Sequence, residues 1–130
     1  MSSAEKWMAF VLDHAVSQGA DADVIVSCGE KLTLRAENGS LGQRSVSQDS
    51  GVSIRVVKDQ RVGVSYSQST ERSQLERMVN QALANAEISR VDEFQDVAAL
   101  PTDYSDLAIA PYRTDSASLE DKIDAALTLE

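Results

Sequence analysis

The stretch 32–67 alternates apolar and polar side chains with a period of two, which is the pattern of strands that bury one face. Leu32, Leu34 and Ala36 share one parity, and the hairpin-forming dipeptide Asn38-Gly39 follows them. Two further alternating runs lie on either side of a short polar cluster, and their apolar members are Val52, Ile54, Val56, Val62, Val64 and Tyr66. The stretch predicts an antiparallel meander with one apolar and one polar face, and the apolar face needs a cover.

Two amphipathic helices are predicted to supply that cover. Ser2 and Glu5 have the spacing of a capping box, and Gly19 can end the first helix in a left-handed cap. Ser69-Thr70-Glu71 is predicted to cap the second helix and to place an acid in its first turn. The apolar stripes are Ala4, Trp7, Met8, Val11, Leu12 and Ala15 in the first helix, and Leu75, Met78, Val79, Ala82, Leu83 and Ala86 in the second.

These elements predict an α+β fold, in which a curved antiparallel sheet of about four strands packs against helices. The order is helix, strands, helix, linker, helix. A first strand is predicted at 22–28, followed by a bulge or bend at 29–31. The pattern leaves open whether the chain forms one long kinked strand or two strands there.

Three segments are predicted along the chain. Residues 1–90 form the α+β amino-terminal domain, and 91–115 form an acidic extended linker or wrap, because periodicity stops and Pro101 and Pro111 interrupt it. Residues 116–130 are predicted to start a truncated helix, capped by Ser118, that leads to a missing carboxy-terminal domain.

Composition excludes several classes of function. The 130 residues include 12 basic and 21 acidic side chains, which give a net charge of −9, so the basic footprint of a nucleic-acid-binding protein is absent. No apolar run reaches the roughly 20 residues that a membrane span requires. The amino terminus is amphipathic and unlike a secretory leader, which places the protein in the cytoplasm. Cys28 alternates with Val24 and Val26 and is interpreted as a small core residue.

No catalytic, cofactor-binding or metal-binding residues are assigned from the sequence. His14 is the one histidine and is predicted to lie on the helix surface or half-buried. Asp21 and Asp23 are interpreted as turn and edge residues, and the acidic residues of 92–106 as a solvated face rather than a calcium site. Arg44, Arg55 and Arg61 stay unassigned, and the serines predicted to line the polar face are Ser45, Ser47, Ser50, Ser53, Ser65, Ser67 and Ser69.

The polar sheet face is the one place where recognition is considered. Such a face, with open strand edges, can accept an extended peptide or a partner subunit by strand addition. The alternative is an ordinary solvated face without a partner. The sequence does not separate the two.

The order of elements resembles the amino-terminal domain of the TldD/PmbA family. The most specific part is 51–67, GVSIRVVKDQRVGVSYS, in which a glycine, a strand, a short charged turn and Arg-Val-Gly-Val-Ser precede a helix. The resemblance is distinctive over about 20–92 and covers nearly the whole chain in layout. Tyr104, Asp106 and Leu107 in the acidic segment make it more similar to the PmbA (TldE) branch than to the TldD branch.

Members of this family are described as candidate modulators of DNA gyrase and as metallopeptidases. The resemblance implies a two-domain subunit that pairs with a related TldD/PmbA-type subunit and degrades unfolded or peptide substrates in an enclosed chamber. The family's zinc site uses an HExxxH helix in the carboxy-terminal domain, which this sequence lacks. Zinc is therefore possible in the full-length assembly, and none is expected in this chain.

Three functions remain open on this resemblance. The first is a non-catalytic amino-terminal domain that helps to enclose peptide and pairs with a related subunit, without hydrolysing peptides itself. The second is a non-enzymatic binding or adaptor module linked to DNA gyrase modulation. The third is that a longer chain carries its own zinc site and is the active subunit.

Overall fold

The computed structural model describes residues 2–99 and 116–130, which contain three helices and one three-stranded sheet. The elements are α1 (Ser3–Ser17), β1 (Asp21–Glu37), β2 (Ser40–Lys58), β3 (Arg61–Ser67), α2 (Arg72–Ile88) and α3 (Leu119–Leu129). The strands lie in the order β1-β2-β3. Pro101, Asp103, Tyr104, Asp106, Leu107 and Pro111, on which parts of the sequence interpretation rest, lie outside the described residues.

The predicted α+β class, with a sheet packed against helices, is confirmed. The sheet has three strands, close to the predicted count of about four, and β1 continues without interruption through 29–31. The Ser-rich run after the Asn38-Gly39 turn also joins the run from Val52 in a single strand of 19 residues. Within the described residues, no helix is long and apolar enough to cross a membrane.

Contacts between residues divide the structure into two compact units. The first contains residues 2–29 and Asp49–Ala99, and it holds the fully buried core. Side chains of α1, α2 and β2 supply most of this core, and Trp7 and Phe10 pack against it. Its members are Val11, Ala15, Ala20, Val52, Ile54, Val56, Leu75, Met78, Val79, Ala82 and Ala86. The predicted stripes of both helices therefore face this core.

The second unit contains Glu30–Gln48 and, among its described residues, 116–130. Leu32, Leu34 and Ala36 are half-buried in it, as the strand alternation predicts. Ser118 caps α3 in a capping box with Asp121, which confirms the predicted cap. The Gly39 amide donates a hydrogen bond of 2.8 Å to Glu130 Oε2. The boundaries at 90 and 115 stay predictions.

Both predicted caps of α1 are present. Ser2 and Glu5 form the capping box, and Gly19 adopts a φ of +75° directly after the helix. The Gly19 amide donates to the Val16 carbonyl at 2.9 Å and the Ala20 amide donates to the Ala15 carbonyl at 3.2 Å. This pair of bonds is a Schellman motif, which satisfies two of the carbonyls that the helix leaves without partners.

The predicted cap of α2 is wrong. The N-cap residue is Glu71, whose side chain makes no capping hydrogen bond, and the first turn contains no acid. The hydroxyls that precede the helix are used in a local turn instead. Ser67 Oγ donates to the Ser69 carbonyl at 2.8 Å, and Ser69 Oγ accepts from the Glu71 amide at 3.3 Å. Serine side chains compete for such local backbone bonds, so the same residues can form a turn rather than a cap.

The register of β2 and β3 corrects the predicted apolar face. Val56 lies opposite Gly63, and Val57 lies opposite Val62. Opposed residues share a face of the sheet, so the alternating apolar residues of β3 lie on the side away from Val52, Ile54 and Val56. The two-residue turn at Asp59 and Gln60 sets this register, and it places the two apolar runs on opposite faces.

Gly63 explains how α2 covers the sheet. A Cβ atom at this position would lie 1.9 Å from the Ala82 carbonyl oxygen and 2.5 Å from the Ala86 amide nitrogen. The backbone of α2 therefore lies directly against β3, where a side chain would prevent the contact. Asn85 adds a hydrogen bond of 2.9 Å from Nδ2 to the Val64 carbonyl.

The opposite side of the sheet in the first unit is called the open face here. Its side chains come from alternating positions of all three strands. On β1 the assignment follows from the core contacts of Ala22, Val24 and Val26, which leave the intervening residues on the other side. The open face carries Asp23, Ile25, Ser27, Gly51, Ser53, Arg55, Val57, Val62, Val64 and Tyr66.

The turn between β2 and β3 offers a stability test. Asp59 and Gln60 have φ angles of +52° and +59°, a region that favours glycine. We expect Gln60→Gly to raise the free energy of unfolding by about 0.5–1 kcal/mol, because glycine removes the strain at this position. Urea unfolding measures the change. The matched control is Gln43→Gly inside β2, which is expected to lower stability by about 0.5–1 kcal/mol, since Gln43 lies in a strand and lacks a positive φ. A loss of stability in both variants would contradict the turn geometry.

Candidate functional site

An ion pair joins β1 and β2 on the open face. Arg55 Nε donates to Asp23 Oδ2 at 2.9 Å, and Arg55 Nη2 donates to the same oxygen. The Arg55 side chain is 32% exposed and the Asp23 side chain 44%, so water screens the pair and its net contribution to stability is small. Its main effect is positional, because two hydrogen bonds to one carboxylate oxygen fix the guanidinium at Asp23.

Arg55 also holds the segment that follows α2. Its Nη2 donates to the Asp96 carbonyl at 3.2 Å, and the Asp92 amide donates to the Gln60 carbonyl at 2.8 Å. The Asp92 carboxylate accepts from the Phe94 amide at 3.0 Å and from Gln95 Nε2 at 3.2 Å. Asp92 therefore serves a local turn. The two anchors attach this segment to one end of the open face.

The rest of the open face contains an apolar groove. Ile25, Val64 and Tyr66 are exposed there by 70%, 52% and 71%. The groove has a volume of about 420 Å³, and Gly51, Ser27 and Ser53 are also among its lining residues. The predicted hydroxyl-rich polar face is therefore wrong in part, because three large apolar side chains from β1 and β3 lie on it.

The serines divide between the two sides of the sheet. Ser53 lies on the open face and its Oγ lies 3.5 Å from the Ser65 carbonyl. Ser65 and Ser67 lie on the side of α2, opposite Ile54 and Val52, and both are half-buried. Their placement follows from the same register that moves the valines of β3 to the open face. Ser45 and Ser47 are exposed on β2.

The two arginines left unassigned from the sequence have structural partners. Arg55 binds Asp23 and Asp96 as described above. Arg61 Nη1 donates to the Glu87 carbonyl at 2.8 Å and to the Ser89 carbonyl at 3.0 Å, so its charge lies at the carboxyl end of α2. A cation there stabilises the helix dipole and the unpaired carbonyls. Sequence reasoning missed both roles, because each pair joins residues far apart in the chain.

Cys28 corrects another prediction. The structure places its thiol on the exposed surface of β1 rather than in the core. The core side of this strand ends at Val26, so alternation alone carried the apolar assignment two residues too far. A buried environment therefore does not explain this cysteine.

His14 is half-buried on α1, as predicted. Its imidazole Nε2–H donates to Asn80 Oδ1 at 3.1 Å, and the ring stacks on Phe10 with the centroids 6.3 Å apart. These contacts join α1 to α2. The ring is engaged in packing and in a hydrogen bond to a neutral amide.

The described residues do not fit a zinc site. Zinc in proteins is held by three or four converging histidine, cysteine or carboxylate ligands. Across 2–99 and 116–130, no three such side chains come together. His14 bonds to Asn80, and Asp23 bonds to Arg55, so neither faces a shared centre. No catalytic step is assigned to a metal on these residues.

A match to a family model shows which protein family this chain belongs to. Residues 22–86, half of the chain, match the family model described as PmbA/TldA metallopeptidase domain 1. The chain belongs to the PmbA/TldD family. The match begins at Ala22, the second residue of β1, and ends at Ala86 in α2, so it takes in nearly the whole sheet and most of the covering helix.

Two solved structures match this chain over at least 90% of its length. TldE from Thermococcus kodakarensis is 20% identical, with a TM-score of 0.64, and the match covers 90% of this chain and 26% of that one. A protein from Thermotoga maritima named as a "putative modulator of a DNA gyrase" is 22% identical, with a TM-score of 0.70, over 95% of this chain and 27% of that one. The chain thus spans about a quarter of the length of these proteins, and the likeness shows the fold.

Comparison with curated proteins finds no match to the chain. The assignment to the PmbA (TldE) branch of the family stays a prediction.

Proposed function

We propose that this chain acts as a non-catalytic first domain of a PmbA/TldD-type metallopeptidase subunit. In that role it helps to enclose a peptide substrate and pairs with a related subunit. The observation that carries the proposal is the match to the first domain of a metallopeptidase family in a chain with a single histidine, which is bonded to Asn80. A cytoplasmic location is part of the same proposal.

The two faces of the sheet in the first unit differ in a way that supports this proposal. One face is closed by α1 and α2 over the buried core, and this packing holds the sheet. The other face carries exposed apolar side chains, which are frequent where a protein surface meets a partner or ligand. A peptide or a second subunit would meet the sheet on that open face.

A peptidase assay with a pairing assay tests the proposal. The 130-residue chain is mixed with a related subunit that carries HExxxH, and the complex is measured by size-exclusion chromatography with light scattering. Cleavage of an unfolded peptide is followed for the chain alone, the related subunit alone and the mixture, each with and without a zinc chelator. We expect a complex, no cleavage by this chain alone, and cleavage by the mixture that the chelator abolishes.

Two results would contradict this function. Chelator-sensitive cleavage by the purified chain alone would show that it is catalytic. Failure to bind any related subunit, together with binding to DNA gyrase, would favour the adaptor function. A catalytically inactive variant of the related subunit, with glutamine in place of the HExxxH glutamate, controls for contaminating peptidases.

A further inference from the structure

The backbone conformation at position 51 does not require a glycine. Gly51 lies inside β2, and it is not among the glycines with a positive φ, which are Gly19 and Gly39. A glycine in a strand interior weakens the strand by roughly 0.5–1 kcal/mol relative to alanine. Unlike Gly63, it has no backbone pressed against it, because a Cβ atom would meet only Ser27 Oγ, at 3.2 Å. The missing side chain leaves space instead, in the apolar groove of the open face.

Large apolar side chains from two strands border this space. Ile25 comes from β1, and Val64 and Tyr66 come from β3, so the groove crosses the width of the sheet. Ser27 and Ser53 add hydroxyls, and no residue that lines the groove carries a charge. An uncharged apolar side chain would bury surface here without leaving a charged group desolvated, whereas a carboxylate would lose its hydration without a partner.

Charge lies at one border of the groove. Asp49 precedes Gly51 by two residues on β2 and therefore lies on the same side of the strand. Asp49 is exposed. Asp23, another carboxylate on this face, is already paired with Arg55. In an extended ligand the side chains at i and i+2 are about 7 Å apart and also share a side. A cationic residue two positions from the apolar one would therefore reach Asp49, in a chain whose net charge is −9.

We propose that the Gly51 groove binds one apolar side chain of an extended peptide that carries lysine or arginine two residues away. This inference rests on the proposed function, because it names the peptide class that the first domain would hold. Gly51 supplies the space, and Ile25 and Tyr66 supply the apolar walls. Asp49, two residues before Gly51 on β2, selects the cation.

The test measures binding of fluorescein-labelled Gly-Lys-Gly-Phe-Gly-Lys-Gly to the 130-residue chain by fluorescence anisotropy. Lysine on both sides allows either direction of the peptide. We expect serine in place of the phenylalanine to weaken binding at least about tenfold, because burial of a large apolar side chain is lost. Gly51→Val, which fills the groove, and Tyr66→Ser are each expected to weaken binding at least about fivefold.

The contribution of Asp49 is measured by a double-mutant cycle. Asp49→Asn is expected to weaken binding of the lysine peptide about twofold to fivefold, the range of an exposed ion pair. It should leave unchanged the affinity for a peptide with glutamine in place of both lysines. Val16→Ser is the matched control, since Val16 is 64% exposed on α1, away from the sheet. It should bind as the parent chain does.

Several outcomes would overturn the inference. These are no binding of the phenylalanine peptide, equal binding of the serine peptide, or parent-like binding by both Gly51→Val and Tyr66→Ser. Concentration-dependent dimerisation that is lost in Tyr66→Ser would show that a second copy occupies the groove. Tyr66 is exposed, so its variant remains informative if Gly51→Val fails to fold, as checked by circular dichroism.

The pairing assay separates this inference from the proposed function. If the chain forms the complex with a related subunit but fails the peptide test, only the proposed peptide binding in the groove is refuted. If the chain binds the peptide but forms no complex, the pairing function is refuted and peptide binding in the groove is supported.

Discussion

Gly63→Ala is expected to destabilise the protein by at least about 3 kcal/mol, or to prevent native folding. The added Cβ would lie 1.9 Å from the Ala82 carbonyl oxygen, a distance at which the strand or α2 must move. The obstacle is helix backbone rather than the tip of a flexible side chain, so a rotamer change cannot relieve it. Moving α2 would also separate core residues such as Val79 from the sheet.

Urea unfolding followed by circular dichroism measures this change, and Gly29→Ala is the matched control. Gly29 also lies in a strand, but a Cβ there meets nothing within 4 Å. Gly29→Ala is expected to change stability by less than about 1 kcal/mol, and alanine can be favoured because it loses less backbone entropy. Equal losses in the two variants would show that strand glycine is needed for flexibility rather than for the contact with α2.

Ile54→Ala is expected to lower the free energy of unfolding by about 3 kcal/mol. Ile54 is 0% exposed, and its side chain lies between the sheet and the helices, where truncation removes apolar burial and leaves a cavity. The urea midpoint should fall while the slope of the transition is retained, because the fold remains the same.

Val64→Ala is the control that tests the register. Val64 lies opposite Arg55 on the open face and is 52% exposed, so its truncation should cost less than about 1 kcal/mol. Had the apolar residues of β2 and β3 shared one buried face, both truncations would be costly. A loss of about 3 kcal/mol for Val64→Ala would therefore contradict the observed register.

Local patterns predicted the elements well, for reasons that lie within a few residues of each feature. The apolar stripe from Leu75 to Ala86 needs only helical spacing, and five of its six residues are buried as expected. The Asn38-Gly39 turn needs only two positive φ angles, which are +54° and +71° in the structure. The cap of α2 failed, because the serines before it had a competing local turn available.

The candidate site was less predictable. The open face depends on which side of the sheet β3 presents, and one residue more or less in the turn reverses every side chain. Asp59 and Gln60 are not a strong hairpin signal, and the prediction that the apolar residues of β2 and β3 share one face was wrong. The Arg55–Asp23 pair and the groove of Gly51 follow from the register and could not be seen without it.

The amino-acid order alone determined the helices, the alternating strands and the α+β class, because periodicity and turn chemistry act between neighbours in the chain. The family followed from the resemblance of 51–67 to known members and from the family-model match. Tertiary structure decided which face of β3 is buried, why Gly63 is glycine and where the exposed apolar groove lies. Those features depend on distances between segments that are remote in sequence. At Gly63 the approach of α2 leaves room for backbone only. The register set by the turn at Asp59 and Gln60 places Val62 and Val64 on the open face.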